Sequence, residues 1–124
     1  MIEVKNVTKE FEKKNAIIEI FEDAISIAEA LDNKRANGEK LGKFAGVVIT
    51  IKDNILYAGK KATASSNFTK NFACTYTSTA LQKLLDEDAI VLGRTNMDEF
   101  ALGCDGESSI YGASVNAIND NKIA

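Results

Sequence analysis

The sequence has 124 residues, 45% hydrophobic and 27% charged, with 15 Lys and Arg against 18 Asp and Glu for a formal net charge of −3. This is the composition of one ordinary globular domain, and its acidic balance argues against a polyanion as main partner, since phosphate contacts need clustered Lys and Arg. Histidine is absent; that removes the usual general base of hydrolases and the commonest metal ligand together, so no metal site is expected and any proton transfer needs another base. The opening MIEVKNVTKEFEKK has no apolar run fit for a signal peptide or a bilayer span, so a cytoplasmic protein without membrane contact is expected. Cys74 and Cys104 form no C-x-x-C pair and are expected to be reduced and buried.

In chain order, Asn15 to Ile20 is rich in β-branched residues and reads as a short strand or the lead into a helix. From Glu22 to Asn37, Ala24, Ile25, Ala28 and Leu31 recur at helical spacing, with acids early, Lys34 and Arg35 late, and Gly38 where a helix would stop. After a polar loop, Gly46 to Ile51 is almost continuously apolar, as expected of a central strand covered on both faces of a largely parallel sheet. Lys52, Asp53 and Asn54 interrupt that run, which places Lys52 at the carboxyl end of the strand, the edge where open α/β sheets bind ligands. Thr63 to Thr79 reads as a long surface connection, and Thr77 or Ser78 can cap the helix marked by Ala80, Leu81, Leu84 and Leu85. Ala89 to Gly93 is a second short buried strand. Asn96 with Glu99 is a capping-box pattern for a short helix ended by Gly103, and the last twenty or so residues read as loop.

Two segments carry more than fold information: G-V-V-I-T-I-K-D-N at Gly46 to Asn54, and G-R-T-N-M-D-E-F-A-L-G at Gly93 to Gly103. The first resembles the strand that bears the catalytic lysine in amidase-signature enzymes. The second resembles the N-M-D-E-F-A stretch of the glutamine-hydrolysing amidotransferase subunits in that family, and S-T-A-L-Q-K-L-L-D-E-D-A-I-V-L-G looks like the helix and strand between them. Val48 stands where the family usually has proline, and Gly103 to Ser108 differs from the usual serine-rich sequence. No G-G-S-S-G-G-S-A loop occurs in the 124 residues. The resemblance implies an α/β chain forming the amino-terminal part of the amidase-signature fold, a mixed, largely parallel sheet flanked by helices, with residues 1–124 as the amino-terminal portion of a single domain that lacks the serine-rich catalytic loop.

The implied chemistry is a Ser-cisSer-Lys triad in which Lys52 is the general base, with both serines absent from these residues. A lysine ammonium, with a pKa of about 10.4, becomes a base at neutral pH only where burial disfavours its charge. The flanking Val47, Ile49, Ile51 and Ile55 lead us to expect Lys52 to be more buried than the other lysines. Spacing alone reads Lys52 as a strand-end lysine reaching solvent; the motif match assigns it the catalytic role. Asp53 and Asn54 read equally as turn formers and as residues that shape the site. Asp98 and Glu99 suit a first helical turn and are given no catalytic role. Ser108 and Ser109 read as loop serines, no substrate-binding residue is assignable, and Ser65, Ser66 and Cys104 remain unassigned.

By resemblance the activity is that of a tRNA-dependent amidotransferase. Glutamine is the amide donor and is hydrolysed through an acyl-enzyme; the ammonia passes to Glu-tRNA(Gln) or Asp-tRNA(Asn) on a partner. Subunits B and C are the implied partners, tRNA is held mainly by a partner, and ATP and magnesium are used there, with no cofactor bound by this chain. The chain alone is expected to be inactive. The alternatives are a stand-alone amidase-signature hydrolase of another amide, and a non-catalytic gene remnant or binding fragment.

Overall fold

In a computed structural model describing residues 14–119 and 121–124, three strands and two helices follow one another in the order strand, helix, strand, helix, strand. Strand β1 is Ile17–Ile20, helix α1 Ala24–Ala36, strand β2 Val48–Lys52, helix α2 Thr79–Leu85 and strand β3 Ile90–Thr95; a 3-10 turn, Glu99–Ala101, follows β3. The reading of the first residues as free of a signal peptide falls mostly outside the described residues. Among those described, no helix is long and apolar enough to cross a membrane.

The sheet is mixed, in the order β1-β3-β2, with β1 antiparallel and β2 parallel to the central β3. The β-branched Asn15 to Ile20 segment therefore resolves as a strand. β3, not β2, is the strand covered on both faces. Because side chains alternate across a strand, Ile90 and Leu92 meet Ala24, Leu31, Ile27 and Ala28 of α1, whereas Val91 packs with Ile51 of β2, Leu81 of α2 and Phe21. The central position expected of the Gly46 to Ile51 run is corrected: β2 lies at an edge of this sheet, buried at Ile51 and exposed at Val48, Thr50 and Lys52. An apolar run reports that a strand can be covered on both faces, not which described element covers it.

Helix α1 stops where the sequence indicated. Gly38 adopts φ +72°, its N–H bonds to the Arg35 carbonyl at 3.1 Å and the Glu39 N–H to the Lys34 carbonyl at 3.0 Å, a left-handed cap that satisfies the last carbonyls. The capping-box expectation at Asn96 is corrected. Asp98 is the residue before the 3-10 turn and makes no side-chain cap bond, while Asn96 bonds across the structure. Thr63 to Thr79 is not wholly a surface connection either, since Thr63, Ser65 and Ser66 have no exposed surface and Cys74 is buried. Cys104, expected to be buried, is exposed; both cysteines are free.

Candidate active site

The carboxyl ends of β2 and β3 lie side by side, with Lys52 opposite Thr95 in the parallel register. Two loops leave this edge, one after Lys52 and one after Thr95, and buried polar groups lock them together. Their centre is Asp53, 1% exposed. Its Oδ1 accepts from the Thr63 N–H at 3.0 Å and its Oδ2 from the Ser65 N–H at 2.9 Å; the Thr63 hydroxyl and Arg94 Nη1 complete the set of donors. Holding two amides on one carboxylate requires a tight turn, and Ala64 and Ser65 both adopt positive φ, at 47° and 51°.

Arg94 comes from the centre of the sheet and is 5% exposed. Its Nε bonds Glu19 of β1 at 2.5 Å while Nη1 bonds Asp53, so one guanidinium ties both outer strands to β3. Burial works against that charge. The hydrogen bonds and charges of Glu19 and Asp53 outweigh it and raise the Arg94 pKa above its ordinary value. A lone buried charge would be costly, and a planar fork that reaches two carboxylates at once avoids leaving either unpaired.

Around this pair, Asn96 gathers the second loop. Its Nδ2 donates to the Asn15 and Gly112 carbonyls at 2.9 and 2.7 Å, and its Oδ1 accepts from Ser109 Oγ at 2.6 Å and Ser65 Oγ at 3.2 Å. Ser66 Oγ donates to Glu99 at 2.5 Å, and the Phe100 N–H to the Ala64 carbonyl at 3.0 Å. Ser108 Oγ donates to Asp98 at 3.1 Å. Ser65, Ser66, Ser108 and Ser109 thus have their hydroxyls engaged in holding loops, and none is presented as a nucleophile.

Lys52 ends β2 as expected, but the expectation that it is the most buried lysine is corrected. It is exposed, on the same open face as Val48 and Thr50, and no described residue bonds its ammonium. Lys60 is better covered, with 23% of its side chain exposed, lying 2.7 Å from Asp23 and 4.7 Å from the Phe21 ring centre. The apolar neighbours that suggested burial for Lys52 behave differently: Ile51 points to the opposite face, and Val47 is itself exposed. Asp53, weighed equally as a turn former and a site-shaping residue, is a buried anchor, whereas Asn54 is exposed.

Arg94, Thr63 and Glu19 went unrecognised in the sequence. Arg94 carried a usable signal, because an arginine continuing a buried apolar strand demands a carboxylate partner. Cys104 lines a shallow hollow of about 210 Å³ with Met97, Asp98 and Gly106, apart from Lys52. No group of three or more His, Cys, Asp or Glu among the described residues is arranged to hold a metal ion.

A family model described as Amidase matches residues 4–124. The chain is 41% identical over 120 residues to a protein of Fusobacterium nucleatum named as a glutamyl-tRNA(Gln) amidotransferase subunit, covering 96% of this chain and 25% of that protein. It is 40% identical over 125 residues to the protein of the same name from Methanobrevibacter smithii, covering 97% and 27%. Among solved structures, it superimposes on the native peptide amidase of Stenotrophomonas maltophilia with a TM-score of 0.78 at 29% identity, over 89% of this chain and 23% of that one. The corresponding values for the glutamyl-tRNA(Gln) amidotransferase subunit of Thermotoga maritima are 0.73, 28%, 91% and 22%. The chain spans about a quarter of the length of the curated relatives it matches. With both motif strands and the loops between them inside the matched region, the chain belongs to the amidase family.

Proposed function

We propose that this chain supplies the base-bearing part of an amide-cleaving site in a glutaminase subunit of a tRNA-dependent amidotransferase. The observation that carries this reading is the 41% identity to the Fusobacterium nucleatum amidotransferase protein across a stretch that includes β2, Lys52 and the N-M-D-E-F-A segment. Lys52 is the general base, and the nucleophilic and bridging serines come from a segment other than these 124 residues. An exposed lysine is a poor base at neutral pH. The serine-bearing segment must therefore do two things: present its hydroxyls to Lys52 Nζ and cover the open face of β2, so that water is excluded from the base.

Glutamine is the amide donor, and ammonia released from its acyl-enzyme goes to Glu-tRNA(Gln) or Asp-tRNA(Asn) held by a partner subunit, which uses ATP and magnesium. Two further subunits, corresponding to B and C, complete a cytoplasmic complex. A second reading, a stand-alone amidase, is supported by the somewhat closer superposition on the peptide amidase than on the Thermotoga maritima protein. The sequence identity favours the first.

A chimera tests both. The chain replaces the matching quarter of the Fusobacterium nucleatum protein, and ammonia release is measured with glutamine and with simple aliphatic amides. Glutamine should be preferred, and Lys52→Ala should lower kcat by at least about 100-fold, the scale of a lost general base, with the circular dichroism spectrum unchanged. A folded Lys52→Ala chimera that keeps most of its activity refutes the assignment, and a preference for the simple amides moves it to the second reading.

A further inference from the structure

We infer that Asp53 is the positioning residue for Lys52: the buried Asp53–Arg94 pair fixes the backbone from which the lysine side chain departs. This inference rests on the reading of Lys52 as general base. The two residues are adjacent and point to opposite faces, Lys52 exposed and Asp53 buried, so they share one peptide plane at the end of β2. That plane is held on both sides. The Asp53 N–H donates to the Thr95 carbonyl at 3.1 Å, and the Lys52 carbonyl accepts from the Ile55 N–H at 2.8 Å. The Asp53 carbonyl accepts from the Ala64 N–H at 3.1 Å. Every polar group of Asp53, main chain and side chain, is thus committed, and together these bonds reach three parts of the molecule: β3 through Thr95 and Arg94, β1 through Arg94 and Glu19, and the Thr63 to Ser66 turn through its amides.

An edge strand has no such rigidity of its own. Among the described residues β2 pairs on one side only, and it ends at Lys52, where a free strand end would fray. The ion pair removes that freedom one residue beyond the base, and it does so from the covered side of the sheet, leaving the Lys52 face open to the segment that brings the hydroxyls. Placement of a proton acceptor matters steeply, since a misplacement of about 1 Å can lower a rate by about 100-fold. Thr63 and Tyr111 extend the same network into the loop that follows Thr95, their hydroxyl oxygens 3.1 Å apart. The geometry therefore couples the position of Lys52 to loops that do not touch it.

The full chain, carried in the chimera, tests this with Asp53→Asn, Arg94→Lys and, as a control for stability alone, Lys60→Met, which breaks an ion pair with Asp23 that shares no residue with the Asp53 network. Arg94→Lys keeps the cation but not the fork that reaches Glu19 and Asp53 together. Asp53→Asn is expected to lower kcat at least tenfold while KM for glutamine changes less than twofold. The acidic limb of the kcat profile should move as well, a change that a loss of stability alone would not produce. Arg94→Lys should show the same pattern in smaller measure, and Lys60→Met should lower the thermal midpoint without moving the limb. If Asp53→Asn does not fold, Arg94→Lys carries the decision. A folded Asp53→Asn or Arg94→Lys protein with an unchanged limb and kcat overturns the inference while Lys52→Ala remains inactive; an active Lys52→Ala protein overturns the base assignment itself.

Discussion

Gly93 is the point at which the sheet is most sensitive to a single added carbon. It lies in β3 opposite Ile20 of β1 and Thr50 of β2, where the β2 register slips by one residue. A Cβ built there would overlap the Glu19 carbonyl oxygen and come within 3.1 Å of the Glu19 carbonyl carbon and Ile20 Cα. These are backbone atoms of a paired strand, so relief requires β1 to move away, drawing Glu19 from Arg94. Overpacking of this kind costs about 1–3 kcal/mol, and each weakened ladder bond adds about 1 kcal/mol. Against this, replacing glycine by alanine restricts the unfolded chain and returns about 0.4–1 kcal/mol. The clash wins, and Gly93→Ala should destabilise by about 2–4 kcal/mol. Gly38 is the comparison: its Cβ would meet open space, so Gly38→Ala carries only the left-handed backbone penalty of about 1–2 kcal/mol, less the same entropic gain. Urea unfolding by far-UV circular dichroism, at concentrations where light scattering reports a monomer, separates the two. With a slope of about 2 kcal/mol per molar, the midpoint should fall by about 1–2 M for Gly93→Ala and by about 0.8 M or less for Gly38→Ala. Equal midpoints would refute the close-approach argument.

The chain on its own should release no ammonia from glutamine above a Lys52→Ala control, because a proton acceptor without a hydroxyl partner breaks no amide bond; a monodisperse, folded chain that did so would require a nucleophile among Ser65, Ser66 and Cys104. Light scattering should show association as concentration rises, since the β2 edge and its Val48 face are uncovered among the described residues. Asp88 should contribute to the loss of stability in acid. The Gly42 N–H at 2.6 Å, with Lys34, lowers its pKa below 3.8, so its stabilisation is present above 3.8 and is lost as pH falls through the lower folded value. Asn tolerates the Asp88 φ of 64° and still accepts from Gly42, so Asp88→Asn should be less stable than the parent at neutral pH and converge with it in acid. A stability difference unchanged from neutral pH to below the folded pKa would exclude this source.

Local signals carried the elements and one end of the site. Helical spacing with Gly38 at its end marked α1, β-branched runs marked β2 and β3 but left β1 open between a strand and the lead into a helix, and the break from Ile51 to Lys52 marked the carboxyl end of β2, because each depends on residues close together in the chain. The motifs at Gly46 to Asn54 and Gly93 to Gly103 indicated the family for the same reason. Strand order was not legible: the runs in β2 and β3 look alike, and only pairing with β1 from the far end of the sequence makes β3 central. Nor was the Asp53 network. Its members, Glu19, Thr63, Ser65 and Arg94, lie up to 75 residues apart, and Thr63 and Ser65 have the composition of an exposed loop. They are buried because a carboxylate and a guanidinium at the end of the sheet must be surrounded by donors and acceptors, a requirement that exists only once the strands have come together. The exposure of Lys52 was decided in the same way, by which faces of the sheet the helices cover rather than by the apolar residues beside it in sequence.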